Sequence, residues 1–240
     1  MSEKKRILVL AAHPDDEVLG VGGTIAKHVS NGNEVYIHIL RNGIAERHAN
    51  SAKNAETMRK LVENNAVQCA GVLGVPEQNV SFGNYSFNER FSCFHISDGK
   101  SVSTNIEKIL EKIKPQIVYT NHYGDAHLDH KTVYEATMIA TRTIGICNNG
   151  IERVLSYEVP SATEQTFQTT GFIFMPNVYE NISDFIKVKI KAFLKYTTEQ
   201  AKGSYHPRSP EKIHIKAESR GGEMNIYAAE AFCLLREIHL

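Results

Sequence analysis

Ile7 to Ala12 is an unbroken apolar run that stops abruptly at a polar cluster, the pattern of a strand covered on both faces in a parallel sheet. Gly20 to Ser30 carries Ile25 and Val29 at helical spacing. Val35 to Leu40 is β-branched and apolar enough for a second strand, so the chain begins as strand, helix, strand. From about Asn54 to Leu73 the apolar positions Ala55, Met58, Leu61, Val62, Ala66, Cys69, Ala70 and Leu73 predict a long amphipathic helix, with Gly74 closing it. Ile106, Leu110 and Ile113 mark another helix ended by Pro115, and Ile117 to Thr120 then reads as a strand.

The second half is less regular. A helix is expected from about Asp129 to Thr143, and strands at Arg153 to Val159 and Gly171 to Met175. Ser183 is the expected cap of a helix carrying Phe185, Val188, Phe193 and Leu194, whose Lys187, Lys189 and Lys191 read as a solvated face. Ser209 before Pro210 signals a last helix start. Alternating elements without repeats or linkers predict an α/β, Rossmann-like three-layer fold with a mostly parallel central sheet, formed by residues 1–240 as one domain.

Composition narrows the function classes. Lysine plus arginine and aspartate plus glutamate both number 27, with no long run of one charge, so neither a nucleic-acid track nor a membrane-attracting patch is expected. A small-molecule substrate is the expected partner. Cys69, Cys93, Cys147 and Cys233 have no C-x-x-C spacing and read as reduced thiols. The apolar run after the basic N-terminus is only strand-length, too short for a signal-peptide core or a membrane span, and a cytoplasmic location is expected.

Candidate chemistry sits where open α/β sheets bind ligands, beyond the carboxyl ends of strands: Ala12-His13-Pro14-Asp15-Asp16-Glu17 follows the first strand. One histidine and three acids in a turn repel unless a cation or hydrogen-bond donors compensate. A second cluster, Asp125-Ala126-His127-Leu128-Asp129-His130, follows the strand ending near Thr120 and should reach the same sheet edge. Catalytic zinc commonly takes three nitrogen or oxygen ligands and leaves one position open, and His13, Asp16 and His130 form such a set. His127 would then serve as an acid or oxyanion partner, with Asp129 orienting one of the histidines.

Together, Ala-His-Pro-Asp-Asp-Glu and the later His-x-Asp-His resemble the zinc-dependent N-acetylglucosaminylphosphatidylinositol de-N-acetylase (PIG-L/LmbE-like) family. The likeness extends to Lys114 to Thr120, Tyr157 to Ser161, His206 to Ser209, Arg220-Gly221 and Tyr227 to Phe232. It implies removal of an N-acetyl group from an amino sugar or its conjugate on a Rossmann-like fold. It further implies His13, Asp16 and His130 as zinc ligands (Fe2+ being the alternative ion), one ion per chain, Asp15 as general base and His127 as the electrostatic or acid group. Relatives of this kind are often oligomeric, which leaves a homo-oligomer open.

Substrate contacts are expected from Arg41, Glu158, Arg208 and Arg220, and pocket positions from His122, Tyr123, His206 and Tyr227. Glu17 has two readings, holding a ligand histidine or capping the helix. Gly20-Val21-Gly22-Gly23 reads as close helix-to-sheet packing, since phosphates there would face Asp15, Asp16 and Glu17. Competing functions are an amidase for a non-sugar acylamine, a sugar-binding protein without turnover, and a nucleotide-dependent oxidoreductase.

Overall fold

Along the first strand, β1 (Arg6–Ala11), side chains alternate between two buried clusters. Ile7, Val9 and Ala11 face one way and Leu8 and Leu10 the other. That period of two with apolar residues on both sides explains why the run has no polar positions. The computed structural model describes residues 3–41, 52–85, 101–144, 150–167, 169–199 and 203–239.

The described helices and strands are β1, α1 (Asp16–Ser30), β2 (Glu34–Arg41), α2 (Ala52–Val72), β3 (Val80–Tyr85), α3 (Val102–Ile113), β4 (Ile117–Asn121) and α4 (Leu128–Ala140). They continue with β5 (Arg153–Tyr157), β6 (Val178–Asn181), α5 (Ile186–Phe193), α6 (Pro210–Gly222) and β7 (Ala229–Glu237). One seven-stranded sheet has the order β3-β2-β1-β4-β5-β7-β6. The first five strands run parallel, and β7 enters antiparallel between β5 and β6. Val18, Ile25, Ala66 and Phe193 cover one face, and Val102, Ile106, Val133 and Ala136 the other, so the expected three-layer α/β arrangement is present.

Local signals account for several boundaries. Ser101 caps α3 by accepting from the amide of Thr104, and Ser209 caps α6 by accepting from Lys212, with Pro210 in the first turn. Gly74 closes α2 at φ 87°, where a Cβ would be strained. Gly20 is close-packed as expected: a Cβ there would lie 2.2 Å from the Tyr157 ring, whose hydroxyl donates to Leu10 O at 2.8 Å.

Other expectations are corrected. Residues 171–175 are not a strand: Phe172 and Phe174 pack against Tyr123 and His122, so the apolar run serves loop packing, and the strand lies later at β6. Ser183 does not cap α5; Phe185 occupies that position, and the Ser183 hydroxyl donates to Asn181 Oδ1. Lys189 is not on a solvated face. It is buried, with Nζ donating to Glu230 Oε1 and to Leu19 O at 2.7 Å each, while Glu230 also accepts from the amides of Gly23 and Thr24. β3 and β7 were not anticipated as strands. Cys93 and Cys147 lie outside the described residues, and Cys69 and Cys233 are free thiols.

Candidate metal centre

Because β1 and β4 are parallel neighbours, the loops that follow them leave the sheet at the same edge. Asn121, the last residue of β4, joins them: its Oδ1 accepts from the Ala12 amide at 2.9 Å and its Nδ2 donates to Asp16 Oδ2 at 3.1 Å. The sequence reading assigned Asn121 no role, although its place at the strand end directly before the second cluster is the signal that marks it.

His13, Asp16 and His130 converge beneath a pocket of about 330 Å³ that they line together with Asp15, His127 and Arg208. Asp16 Oδ2 lies 3.2 Å from His130 Nε2 and 3.7 Å from His13 Nδ1. These separations bracket the donor spacing of a tetrahedral site, about 3.4 Å for bonds of about 2.1 Å. Each histidine has its remaining nitrogen on a carboxylate: His13 Nε2 donates to Asp129 Oδ2 at 2.8 Å, and His130 Nδ1 to Asp125 Oδ2 at 2.7 Å. A carboxylate accepts only, so the protons sit on those nitrogens and His13 Nδ1 and His130 Nε2 keep free lone pairs toward Asp16. A wider set also exists, in which His13, His127 and His130 bring one nitrogen each within 4.8 Å of one another.

Electrostatics favour a cation here. Asp15, Asp16, Glu17 and Asp125 are all at most 1% exposed. Burial raises the Asp15 carboxyl well above the usual range, against the opposing pull of Arg208, and burial raises Glu17 to about 7. Burial disfavours charge on Asp16 too, but His130 and His13 outweigh it and hold Asp16 well below the usual range. For His130, burial is outweighed by Asp16 and Asp125, which lift it to about 10, the effect of an anionic surround that a bound cation would also relieve. Burial first, then the neighbouring histidines, lower His127 to about 4. The residues present therefore suit a divalent ion.

Asp15 takes a left-handed φ of 96° immediately before α1 and makes no side-chain cap on the helix. Its Oδ2 accepts from Arg208 Nη1 at 2.7 Å. Glu17 follows neither expected reading: Oε2 accepts from the Asp15 amide at 3.1 Å and Oε1 from the Tyr196 hydroxyl at 2.5 Å. His127 is half-buried, caps α4, and accepts the Asp129 amide proton on Nδ1 at 3.3 Å.

Glu158 and Arg220 pair with each other at 2.7 and 2.8 Å and are not among the residues lining the pocket. His122 is held by Phe172 O and Tyr227 by His214, also away from the lining; Tyr123 and His206 do not line it either. The side chain of Arg41 lies outside the described residues.

The chain is 29% identical over 198 residues to the uncharacterized deacetylase YaiS of Escherichia coli K12, covering 81% of this chain and 92% of YaiS. Its fold matches N,N'-diacetylchitobiose deacetylase from Pyrococcus horikoshii with a TM-score of 0.76 at 19% identity, over 97% of this chain and 84% of that one. It also matches GalB, the 4-carboxy-2-hydroxymuconate hydratase of Pseudomonas putida KT2440, with a TM-score of 0.72 at 19% identity over 98% of both chains. The fold alone therefore does not choose the reaction. Residues 8–141, more than half the chain and both clusters of the site, match the PIG-L model described as GlcNAc-PI de-N-acetylase, and the chain belongs to that family.

Proposed function

We propose that this protein is a zinc-dependent hydrolase that removes an acetyl group from the nitrogen of an amino sugar or its conjugate. The observation that carries the reading is the seating of Asp16 Oδ2 between His130 Nε2 and His13 Nδ1 at the pocket floor, with Asp15 beside it. The family and the relationship to a deacetylase support the bond broken.

His13 Nδ1, Asp16 and His130 Nε2 would hold the ion. When bound, it supplies Lewis-acid charge at the substrate carbonyl and acidifies water. The Asp15 carboxylate takes a proton from the attacking water as its oxygen bonds to the amide carbon. His127, whose Nδ1 accepts the Asp129 amide proton, carries its own proton on Nε2 and donates a hydrogen bond to the developing oxyanion. As the C–N bond breaks, Asp15 returns the proton to the departing amine, leaving a free amine and acetic acid, which ionises to acetate. Burial excludes bulk water from Asp15 and Asp16, which strengthens each of these interactions.

The test is a screen of N-acetylated amino sugars, their conjugates and nucleotide sugars, with non-sugar acylamines alongside, for released free amine. Turnover is expected for at least one sugar, lost on chelation and restored by about one divalent ion per chain. Asp15→Asn is expected to keep the metal and lose about 100- to 10,000-fold in kcat. Full activity in metal-free protein or in Asp15→Asn overturns the reading, and turnover of acylamines alone replaces the sugar with a simpler amide.

A further inference from the structure

Four described non-glycine residues have left-handed φ values: Asp15 at 96°, Lys114 at 50°, Ser161 at 77° and Asn225 at 56°. Lys114 ends a helix and Asn225 is a residue type that tolerates this region, so both have local explanations. Asp15 and Ser161 each follow a proline at the third position of a turn closed by a backbone hydrogen bond, Asp16 N donating to His13 O at 3.3 Å and Ala162 N to Val159 O at 3.0 Å, and the guanidinium of Arg208 binds both. Nη1 reaches Asp15 Oδ2 at 2.7 Å, and Nε reaches Ser161 Oγ at 2.7 Å. We infer that Arg208 is the positioning residue that holds the Asp15 carboxylate in its reactive direction, with Ser161 setting the plane of the guanidinium. The inference rests on the reading of Asp15 as the base.

The direction of the Asp15 side chain calls for such a residue. An aspartate preceding a helix ordinarily turns its carboxylate onto the free amides of the first turn. Asp15 makes no such bond, and its amide is taken by Glu17 Oε2. The carboxylate instead lies in the pocket lining with Oδ2 on Arg208. One planar group here ties two turns on different loops, the one after β1 and the one after β5. Glu199 Oε2, 3.7 Å from the same Nη1, flanks the guanidinium on the pocket wall. Lysine cannot reproduce this, because a single ammonium on a flexible stem lacks two donors fixed in one plane.

The experiment compares Arg208→Ala, Arg208→Lys, Ser161→Ala and Asp15→Asn in the zinc-loaded protein, using an N-acetylated amino sugar turned over by wild type. Arg208→Ala is expected to lose about 100-fold in kcat at nearly unchanged KM, with partial recovery on adding guanidinium, as displacement of a reacting group by about an ångström does. Arg208→Lys should recover only part of that loss, and Ser161→Ala should lose less. Zinc affinity measured by chelator competition should be retained, and a crystal structure of Arg208→Ala should show the Asp15 carboxylate turned onto the α1 amides. Unchanged kcat in both Arg208 variants, or a raised KM at wild-type kcat, overturns the proposal and makes Arg208 structural or a substrate contact. Wild-type turnover in Asp15→Asn overturns the base reading itself, a distinct failure.

Discussion

His130 Nδ1 donates to Asp125 Oδ2 at 2.7 Å, and both side chains are at most 2% exposed. This bond keeps the proton on Nδ1 and leaves Nε2 to face Asp16; the His13–Asp129 pair does the same with the nitrogens exchanged. Such carboxylates typically contribute 10- to 100-fold to metal affinity. Asp125→Asn is therefore expected to weaken zinc by about that factor in chelator competition. Asp129→Asn, whose side chain is 14% exposed, should weaken it less. Equal affinities in wild type and Asp125→Asn would remove Asp125 from the support of His130.

His127 separates two ways of building the centre. If His13, Asp16 and His130 are the ligands, His127→Ala keeps its zinc and loses about 100- to 1000-fold in kcat, the scale for removing one oxyanion donor. Metal analysis of the purified variant decides the matter, since loss of the ion would place His127 among the ligands.

Glu158 anchors α6 to the end of β5 through Arg220 at 2.7 and 2.8 Å and Lys216 at 2.8 Å. Burial disfavours its charge, but the two cations outweigh that and hold its carboxyl below the usual range. A depressed folded pKa stabilises fully above the unfolded value, about 4.3, and the contribution is lost as pH falls through the folded value. Glu158→Gln should cost somewhat less than the ~3–5 kcal/mol of a fully buried broken pair, because Arg220 and Lys216 keep 17% and 30% exposure. Urea unfolding at pH 7 should show this deficit, and at pH 3 it should shrink. A deficit independent of pH would assign the loss to packing.

Gly20 and Gly71 should respond oppositely to alanine. At Gly20 the new Cβ would meet the Tyr157 ring at 2.2 Å and Glu158 O at 3.0 Å, and the ring is held by its bond to Leu10 O, so overpacking should cost about 1–3 kcal/mol. At Gly71, inside α2, nothing lies within 4 Å, and alanine should stabilise by up to about 1 kcal/mol. Thermal unfolding of the two variants checks both signs.

Much of this molecule is written locally. The uninterrupted apolar run of β1 demands cover on both faces, and the His13 to Glu17 turn that ends it is too acidic to be neutral scaffolding. The order of early elements, the helix start at Ser209-Pro210 and the meeting of two clusters at one sheet edge follow from neighbours in sequence and from the geometry of parallel strands. The start of α1 was misplaced because the acidic turn itself supplies the first helical residues, Asp16 and Glu17.

Tertiary structure alone decided the partners. Periodicity reports which side of an element is buried and not what buries it, so the apolar residues of 171–175 read as a strand although they pack under loop aromatics, and Lys189 read as solvated although Glu230 holds it. The antiparallel entry of β7 between β5 and β6 depends on where a distant segment returns to the sheet. The same holds at the site: His13, Asp15 and Asp16 are legible as a group, but which nitrogen His13 offers depends on Asp129, 116 residues later, whereas the Asp125 that orients His130 lies only five residues before it. The direction of Asp15 depends on Arg208, 193 residues later, because hydrogen bonds between side chains are chosen by proximity in space, which local sequence does not encode.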